Sequence, residues 1–257
     1  MNSLIVLIAA AIVLVVYGVR EARPSAIGWI ALMLFCIFVS DAAIKNYYEN
    51  ISGNKVLDGI PHISYVRMGL EDGERGPGWY DQSNYEAMIR HDYDTELTAQ
   101  DEKQEVKARL RQFWEDKTYG IDFFRRKILS QWNSPTYHGF YETAAFNCKK
   151  EELPWLIRQI YFDKIEMLKS FVNRYQFVLY LSTAVAVIAA LLKRKEERHL
   201  EDRILLIAIV GGFLFSIMWE AMSRYVLPYV VYMVPMAAMG MGDLQELISR
   251  KITKRRK

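Results

Sequence analysis

The chain has 257 residues, of which 52% are hydrophobic and 25% are charged, and its formal net charge is +3. Its two cysteines exclude a disulfide framework, and no nucleic-acid partner is indicated. The mean hydropathy is close to zero, which would suit a soluble domain. That average hides an uneven distribution, because the apolar residues are concentrated in long uncharged runs.

Uncharged runs predict membrane spans. Each run is about as long as the roughly 17–25 residues that cross a hydrocarbon core of about 30 Å. Buried helices of a large soluble protein would look similar, but this chain is too short to bury so many of them. The first run lacks the basic region and cleavage site of a signal peptide, which favours a retained span. The sequence therefore predicts an all-α integral membrane protein with about five transmembrane helices, at residues 1–19, 24–40, 175–192, 204–219 and 225–242.

Lysine and arginine predict the orientation of these spans. Basic residues occur in segments 20–23, 193–203 and 243–257, which five spans place on the same side of the membrane. The positive-inside rule makes that side cytoplasmic, so we expect a multi-pass protein of a bacterial cell membrane. The predicted division is two transmembrane helices in 1–44, a mostly helical extracytoplasmic segment in 45–173, three transmembrane helices in 174–242 and a basic cytoplasmic tail in 243–257.

The extracytoplasmic segment is predicted to begin with loops and to continue as helices. Glycine and proline are dense between residues 50 and 79, which is typical of turns. Apolar residues then recur at helical spacing, and Glu102 is expected in a first helical turn. Three helices are predicted: one from Thr98, one that follows an interruption at Gly120 and ends near Trp132, and one from Pro154.

The last span and the tail have further features. Pro228 and Pro235 lie inside a predicted helix, and small residues such as Gly240 and Gly242 follow them, which indicates close helix packing. The tail alternates apolar and basic residues and is predicted to form a short helix on the anionic inner leaflet.

Two charges stand between the fourth and fifth spans, in the stretch WEAMSRYVLPY. One interpretation is that Glu220 and Arg224 cap helix ends at the level of the lipid headgroups. The other is a binding site, since the planar fork of an arginine suits a lipid phosphate. In that case we expect Glu220 to orient Arg224. Asp41 has a similar pair of interpretations, as a ligand or as a helix-end residue paired with Lys45.

No cofactor is indicated by the sequence. His62, His91 and His138 lack the spacing of a metal site, and nothing supports a divalent cation. The stretch EDGERGPGWYDQSNYE lacks the order of a calcium loop and is interpreted as a loop whose glycines allow close approach to a ligand or to the membrane.

Three stretches carry a resemblance to a known family. HISYVRMGLEDGERGPGWYDQSNYE, FFRRKILSQWNSPTYHGFYE and WEAMSRYVLPYVVYMVPMAAMGM resemble, in this order, the carboxy-terminal half of polytopic GT-C glycosyltransferases of Gram-positive bacteria. These enzymes are relatives of the protein mannosyltransferases and of the aminoarabinose transferase. The resemblance implies that a sugar is transferred from a polyprenyl-phosphate donor to an acceptor at the outer membrane face.

The resemblance also implies roles for single residues. Arg224 and Tyr225 would bind the donor phosphate with Glu220 as the orienting residue, and residues 68–70 would open a loop that faces the same cavity. The family's catalytic aspartate lies in a first outer loop that has no counterpart here, so no catalytic residue is assigned. Contacts to the sugar or the acceptor are expected from Trp79, Tyr80 and Asp81.

Two functions from different classes follow. In the first, the chain is the carboxy-terminal part of a glycosyltransferase, whose partners are the bilayer, a polyprenyl-phosphate-linked sugar and a remaining amino-terminal half or partner subunit. In the second, it is a non-catalytic membrane assembly partner or sensor, whose extracytoplasmic segment binds a ligand.

Overall fold

The computed structural model describes residues 2–140, 152–192 and 203–255. Within these ranges the chain is helical apart from connections and one small hairpin, which confirms the predicted all-α class. The hairpin pairs β1 (Asp72–Gly73) with β2 (Gly76–Pro77), and a π-helical turn (Gln159–Asp163) joins α7 to α8. The helices are α1 (Asn2–Arg20), α2 (Ser25–Ser52), α3 (His62–Gly69), α4 (Ser83–Arg90), α5 (Thr95–Glu115), α6 (Lys117–Trp132), α7 (Trp155–Arg158), α8 (Ile165–Leu192), α9 (Arg203–Met218) and α10 (Ser223–Arg255).

The predicted spans lie on α1, α2, α8, α9 and α10. Four of these helices are long and apolar enough to cross a membrane, namely α1, α2, α8 and α10. Helix α9 is also apolar but has 16 residues, a length of about 24 Å. Three helices extend beyond the predicted spans: α2 to Ser52, α8 back to Ile165 and α10 to Arg255.

The apolar helices form a bundle in which α10 packs most extensively against α8 and also contacts α9. Close packing at Gly240 is confirmed, because a Cβ there would overlap Ala186 of α8, whereas a Cβ at Gly242 would meet nothing within 4 Å. Helix α10 passes through Pro228 and Pro235 without a break. It also continues into the basic tail, so the tail residues up to Arg255 belong to this helix and not to a separate one.

Helix α2 packs against α1 and is exposed along most of its length. Ala26 is its one buried residue. The predicted pair of Asp41 and Lys45 is present at 3.9 Å, although the helix continues past it. Lys45 also lies 3.6 Å from Asp58.

The outer segment, residues 53–140 with 152–164, contains helices that were not predicted from the sequence. Helices α3 and α4 are short and lie where loops were predicted or where no helix was expected. Helix α5 begins before Thr98, because the Asp94 carboxylate accepts hydrogen bonds from the backbone N–H groups of Glu96 and Leu97, both at 2.9 Å. The break between α5 and α6 occurs at Asp116 and not at Gly120, which lies inside α6.

Glu102 lies beyond the first turn of α5, because this helix begins at Thr95, and it is buried inside the outer segment. Its side chain has no exposed surface, and neither carboxylate oxygen has a hydrogen-bond partner among the described residues. The nearest cation is Arg67, whose Nε lies 3.8 Å away and bonds Glu105 at 2.6 Å. Burial raises the pKa of Glu102 to about 7.

A small apolar core holds the outer helices together. It consists of Leu70, Val106, Phe113 and Phe123, all buried. Arg109 covers this core, with its guanidinium 4.9 Å from the Phe113 ring centroid and its Nε donating to the Leu70 carbonyl oxygen at 2.7 Å. At the other end of α6, Trp132 joins the core of the helix bundle, so α6 connects the two cores.

Candidate functional site between the outer segment and the α9–α10 connection

The connection between α9 and α10, residues 219–222, is held against the outer segment. Its Ala221 N–H donates a hydrogen bond to the Gly78 carbonyl oxygen at 2.6 Å. The Trp219 ring stacks on the Tyr65 ring of α3, with centroids 5.2 Å apart and planes 9° apart. We call residues 219–222 the docked connection.

Lys127 of α6 is the polar centre of this contact. Its ammonium group donates to the carbonyl oxygens of Gly69 and Trp219, the latter at 2.7 Å. Gly69 is the last residue of α3 and Trp219 follows the last residue of α9, so the cation lies at two helix C-termini, where the helix dipole favours it. The side chain has no exposed surface, and this burial lowers the pKa of Lys127 to about 7.

Two glycines allow the backbones to meet at Lys127. A Cβ on Gly69 would lie 2.5 Å from the Trp219 carbonyl carbon and 2.6 Å from the Met218 oxygen. Gly78 has a φ of +75°, and a Cβ there would lie 2.5 Å from the Gly69 oxygen. Both positions therefore require glycine for the docked connection to approach the outer segment.

A cavity of about 220 Å³ opens beside the docked connection, between the end of α9 and the start of α10. Tyr229 is one of its lining residues, and a Cβ on Gly212 would overlap the Tyr229 ring. The walls combine aromatic rings with polar side chains: Gln131, Phe215, Ser216, Trp219, Glu220, Tyr225 and Tyr229.

Glu220 is the carboxylate of this cavity. It is 7% exposed, and one of its oxygens accepts a hydrogen bond from the Tyr225 hydroxyl at 3.0 Å. Burial raises the pKa of Glu220, and the negative charge of Asp81 adds to this effect. The Tyr225 hydrogen bond and the positive charge of Arg224 act in the opposite direction.

Gln131 supplies a second acceptor. It is 1% exposed, and its amide nitrogen donates to the Ser216 carbonyl oxygen at 3.1 Å. That bond orients the amide, since only the NH₂ group can donate to a carbonyl. The remaining Oε1 atom is buried and has no hydrogen-bond partner among the described residues.

Arg224 lies in the first turn of α10 and is exposed, outside the lining of the cavity. Its guanidinium carbon is 5.4 Å from the Tyr225 ring centroid. Glu220 was predicted to orient Arg224. In the structure Tyr225 links the two residues, because its hydroxyl bonds the Glu220 carboxylate and its ring lies beside the Arg224 guanidinium.

Trp79, Tyr80 and Asp81 line a different, polar cavity of about 500 Å³, together with acidic residues such as Glu71 and Glu74. The Trp79 indole N–H donates to the Ser130 hydroxyl at 3.4 Å. Only Asp81 of the predicted trio influences Glu220, through its charge. The structure thus brings together Glu220, Tyr225 and Arg224 but gives Trp79 and Tyr80 a separate cavity.

Residues 68–70 do not face either cavity as an open loop. Met68 and Leu70 are fully buried, and Leu70 belongs to the core of the outer segment. Gly69 between them contacts the docked connection. The stretch thus ends α3 and begins the connection 71–82, as predicted, but that connection lines the polar cavity and not the cavity beside Glu220.

Sequence reasoning missed Lys127 and Gln131. Both lie on the same face of α6 as the buried Phe123, at a spacing of four residues. Polar side chains that continue an apolar helix face were the available signal, since that face must be buried. Their partners, however, are distant in the sequence: Gly69 and Trp219 lie 58 and 92 residues from Lys127, and Ser216 lies 85 residues from Gln131.

The outer-segment histidines lie at separate places. The His62 ring is near Trp219, at 6.1 Å between centroids, His91 pairs with Asp101 at 3.2 Å, and the His138 ring lies 5.0 Å from the Trp79 ring. Within residues 2–140, 152–192 and 203–255, no three side chains converge as metal ligands. Cys36 is exposed, and Cys148 lies outside the described residues.

Comparisons with protein-family models, with curated proteins and with solved structures find no match. The features that indicate a function are therefore the docked connection, the cavity beside it and Arg224.

Proposed function

We propose that this chain is an integral membrane protein with five spans that binds a polyprenyl-phosphate-linked sugar at the outer membrane face. In this proposal it is the donor-binding region of a GT-C type glycosyltransferase. The observation that carries it is the docked connection, which sets the exposed Arg224 beside a cavity at the junction of two apolar helices.

The membrane assignment is supported by the exposed apolar surfaces of the long helices. Helix α2 is long and apolar enough to cross a membrane yet buries only Ala26, so water would face a large apolar area in a soluble protein. Lipid removes that cost. The basic segments then place the docked connection and segment 45–173 together on the outer side.

A phosphate would find two favourable features at Arg224. The residue lies in the first turn of a 33-residue helix, where backbone N–H groups and the helix dipole favour anions. Its guanidinium offers paired donors to phosphate oxygens. Because the turn follows the predicted end of a span, a lipid-linked phosphate would reach it from the headgroup level.

In the proposed reaction, an acceptor oxygen forms a bond to the anomeric carbon of the sugar. The bond from that carbon to the phosphate oxygen breaks, and polyprenyl phosphate leaves with the electron pair. The acceptor proton passes to an acidic residue, which in the resembled family is an aspartate outside the stretches that match this chain. Arg224 would stabilise the negative charge that develops on the leaving phosphate.

Replacing Arg224 with alanine is expected to weaken binding of a short-chain polyprenyl phosphate at least about tenfold, because charge-assisted hydrogen bonds contribute about 1.5–3 kcal/mol each. Lysine at this position should restore part of the affinity, since a point charge lacks the fork. Titration of the purified full chain in detergent measures the dissociation constants.

The matched control is Arg111→Ala, which removes an exposed arginine from α5. Equal binding by the wild type and Arg224→Ala would contradict the proposal. Sugar transfer should be compared in membranes that contain the wild type, Arg224→Lys or Arg224→Ala. We expect the rates to follow the order of the measured affinities, while the amount of protein inserted in the membrane stays unchanged.

A non-catalytic ligand-binding protein is the second candidate. The polar cavity of about 500 Å³ around Trp79 and Tyr80 favours it, because that cavity belongs to the outer segment alone. An assembly partner or sensor would bind its ligand there and would bind donor lipid no better than Arg224→Ala does.

A further inference from the structure

We propose that the cavity beside Glu220 binds a protonated amine, and that its ligand is a phosphate ester that carries an ammonium group. The proposal rests on the phosphate site at Arg224 and specifies which ligands that site takes. It follows from what the cavity offers to a ligand: acceptors and aromatic faces, with a carboxylate as its charged group.

Two side chains of the cavity, Glu220 and Gln131, present acceptors, whereas the hydroxyl of Ser216 is already bonded to the Phe213 carbonyl oxygen and the Trp132 indole. The Glu220 carboxylate accepts a hydrogen bond from Tyr225 through one of its two oxygens. The Gln131 Oε1 atom is buried without a donor among the described residues, because Ser216 and Lys127 carbonyl oxygens hold the NH₂ side of the amide. A ligand that fills this cavity must therefore donate hydrogen bonds, since an unpaired buried acceptor is costly.

Charge and ring content favour an ammonium donor over a hydroxyl. A buried carboxylate is destabilised unless a cation accompanies it. The rings of Phe215, Trp219 and Tyr229 line the same cavity, and aromatic faces attract ammonium groups. A hydroxyl would satisfy an acceptor but would bring no positive charge to the carboxylate.

A metal ion is a poorer fit than an organic cation. Calcium and magnesium are bound mainly by carboxylate and carbonyl oxygens, whereas among the described residues that line this cavity Glu220 supplies the one carboxylate and its other neighbours are largely aromatic rings. The volume of about 220 Å³ lies below the roughly 300–1,000 Å³ of sites that enclose drug-sized ligands. It suits one amine-bearing group whose remainder extends out of the cavity.

The position of Arg224 indicates the chemistry of the part of the ligand that extends out of the cavity. The guanidinium carbon lies 5.4 Å from the Tyr225 ring centroid, and the Tyr225 hydroxyl bonds Glu220. A positive and a negative group thus both contact one tyrosine. A ligand with a phosphate and an ammonium a few bonds apart would engage both, and amino-sugar phosphates and ethanolamine phospholipids share this chemistry.

Two ligand pairs test the amine with the phosphate held constant. The first pair is glucosamine 1-phosphate and glucose 1-phosphate, and the second is phosphoethanolamine and glycerol phosphate. Each is titrated into the full wild-type chain in a neutral, amine-free detergent. We expect the amine member of at least one pair to bind at least about tenfold tighter than its partner, and the pair that shows the preference identifies the source as sugar or lipid headgroup.

Glu220→Gln should remove this preference by weakening only the amine members, and Arg224→Ala should weaken both members of a pair alike. Equal affinities within both pairs overturn the amine inference and leave the phosphate site standing. If none of the four ligands binds, both the amine inference and the proposed phosphate site at Arg224 are wrong. The wild-type titrations distinguish these outcomes even if Glu220→Gln does not fold.

Discussion

Replacing Lys127 with methionine is expected to lower the free energy of unfolding by about 2–4 kcal/mol, because two buried carbonyl oxygens lose their donor. Methionine keeps most of the volume of the lysine stem, so the change tests the hydrogen bonds and not the packing. The affected oxygens belong to Gly69 and Trp219, and their loss should release the docked connection from the outer segment. Thermal unfolding of the purified protein in detergent measures the effect.

The pH dependence of this difference has a definite sign. The unfolded chain keeps its Lys127 proton up to an ordinary pKa of 10.5, whereas burial lowers the pKa of the folded form to about 7. Between these values the unfolded state binds more protons than the folded state, so the contribution of Lys127 makes the free energy of unfolding of the wild type rise with pH across this window. The mutant lacks the slope, so the pH profile of its unfolding free energy should differ from that of the wild type between about pH 7 and pH 9.

Lys107→Met on α5 is the matched control, since that lysine is exposed and should be replaceable without a measurable change in stability. If Lys127→Met unfolds at the wild-type temperature at both pH values, the assignment of Lys127 as the centre of the contact is wrong.

Replacing Gly69 with alanine is expected to be at least as damaging, by about 2–3 kcal/mol or more. The added Cβ would lie 2.5 Å from the Trp219 carbonyl carbon and 2.6 Å from the Met218 oxygen. These are backbone atoms, so no side-chain rotation relieves the overlap and α3 must separate from the docked connection. Ligand binding at Arg224 and Glu220 should be lost together with the stability.

Gly59→Ala serves as the comparison, because a Cβ at Gly59 would meet nothing within 4 Å. It should leave both the unfolding temperature and phosphate binding near their wild-type values. Wild-type behaviour of Gly69→Ala would show that the outer segment and the docked connection are farther apart than the structure has them.

The long apolar helices were predictable because their signal is local. A run without charge identifies a helix that lipid can surround, and each predicted run lies on a helix. The ends were less predictable, since α2 and α8 continue as helices through polar sequence that composition alone assigns to the outer segment. Helices α3 and α4 were missed because their buried positions include polar residues such as Ser64 and Asn84, which conceal a helical apolar pattern.

The candidate site also contains residues that the local sequence predicts and residues that it does not. Glu220 and Arg224 stood out because they are the two charges in the short stretch between two uncharged runs. The cavity depends on Gln131, and the docked connection depends on Lys127, and both reach partners that are distant in sequence. A local pattern contains no information on such pairs. Tyr225 was a predicted phosphate ligand, but its hydrogen bond to Glu220 became visible only in three dimensions.

Cross-linking across the Trp219–Tyr65 stack tests most directly whether the α9–α10 connection is docked on the outer segment, on the outer side of the membrane. Cysteines are introduced as Tyr65→Cys and Trp219→Cys in a Cys36→Ser, Cys148→Ser background, where the replaced rings have centroids 5.2 Å apart. A short bifunctional thiol reagent that cannot cross the membrane is applied to intact cells. We predict an intramolecular cross-link for this pair and none for Tyr65→Cys with Ala22→Cys, which lies in the predicted cytoplasmic connection between α1 and α2. Absence of the first cross-link, or formation of the second, would contradict both the docking and the orientation.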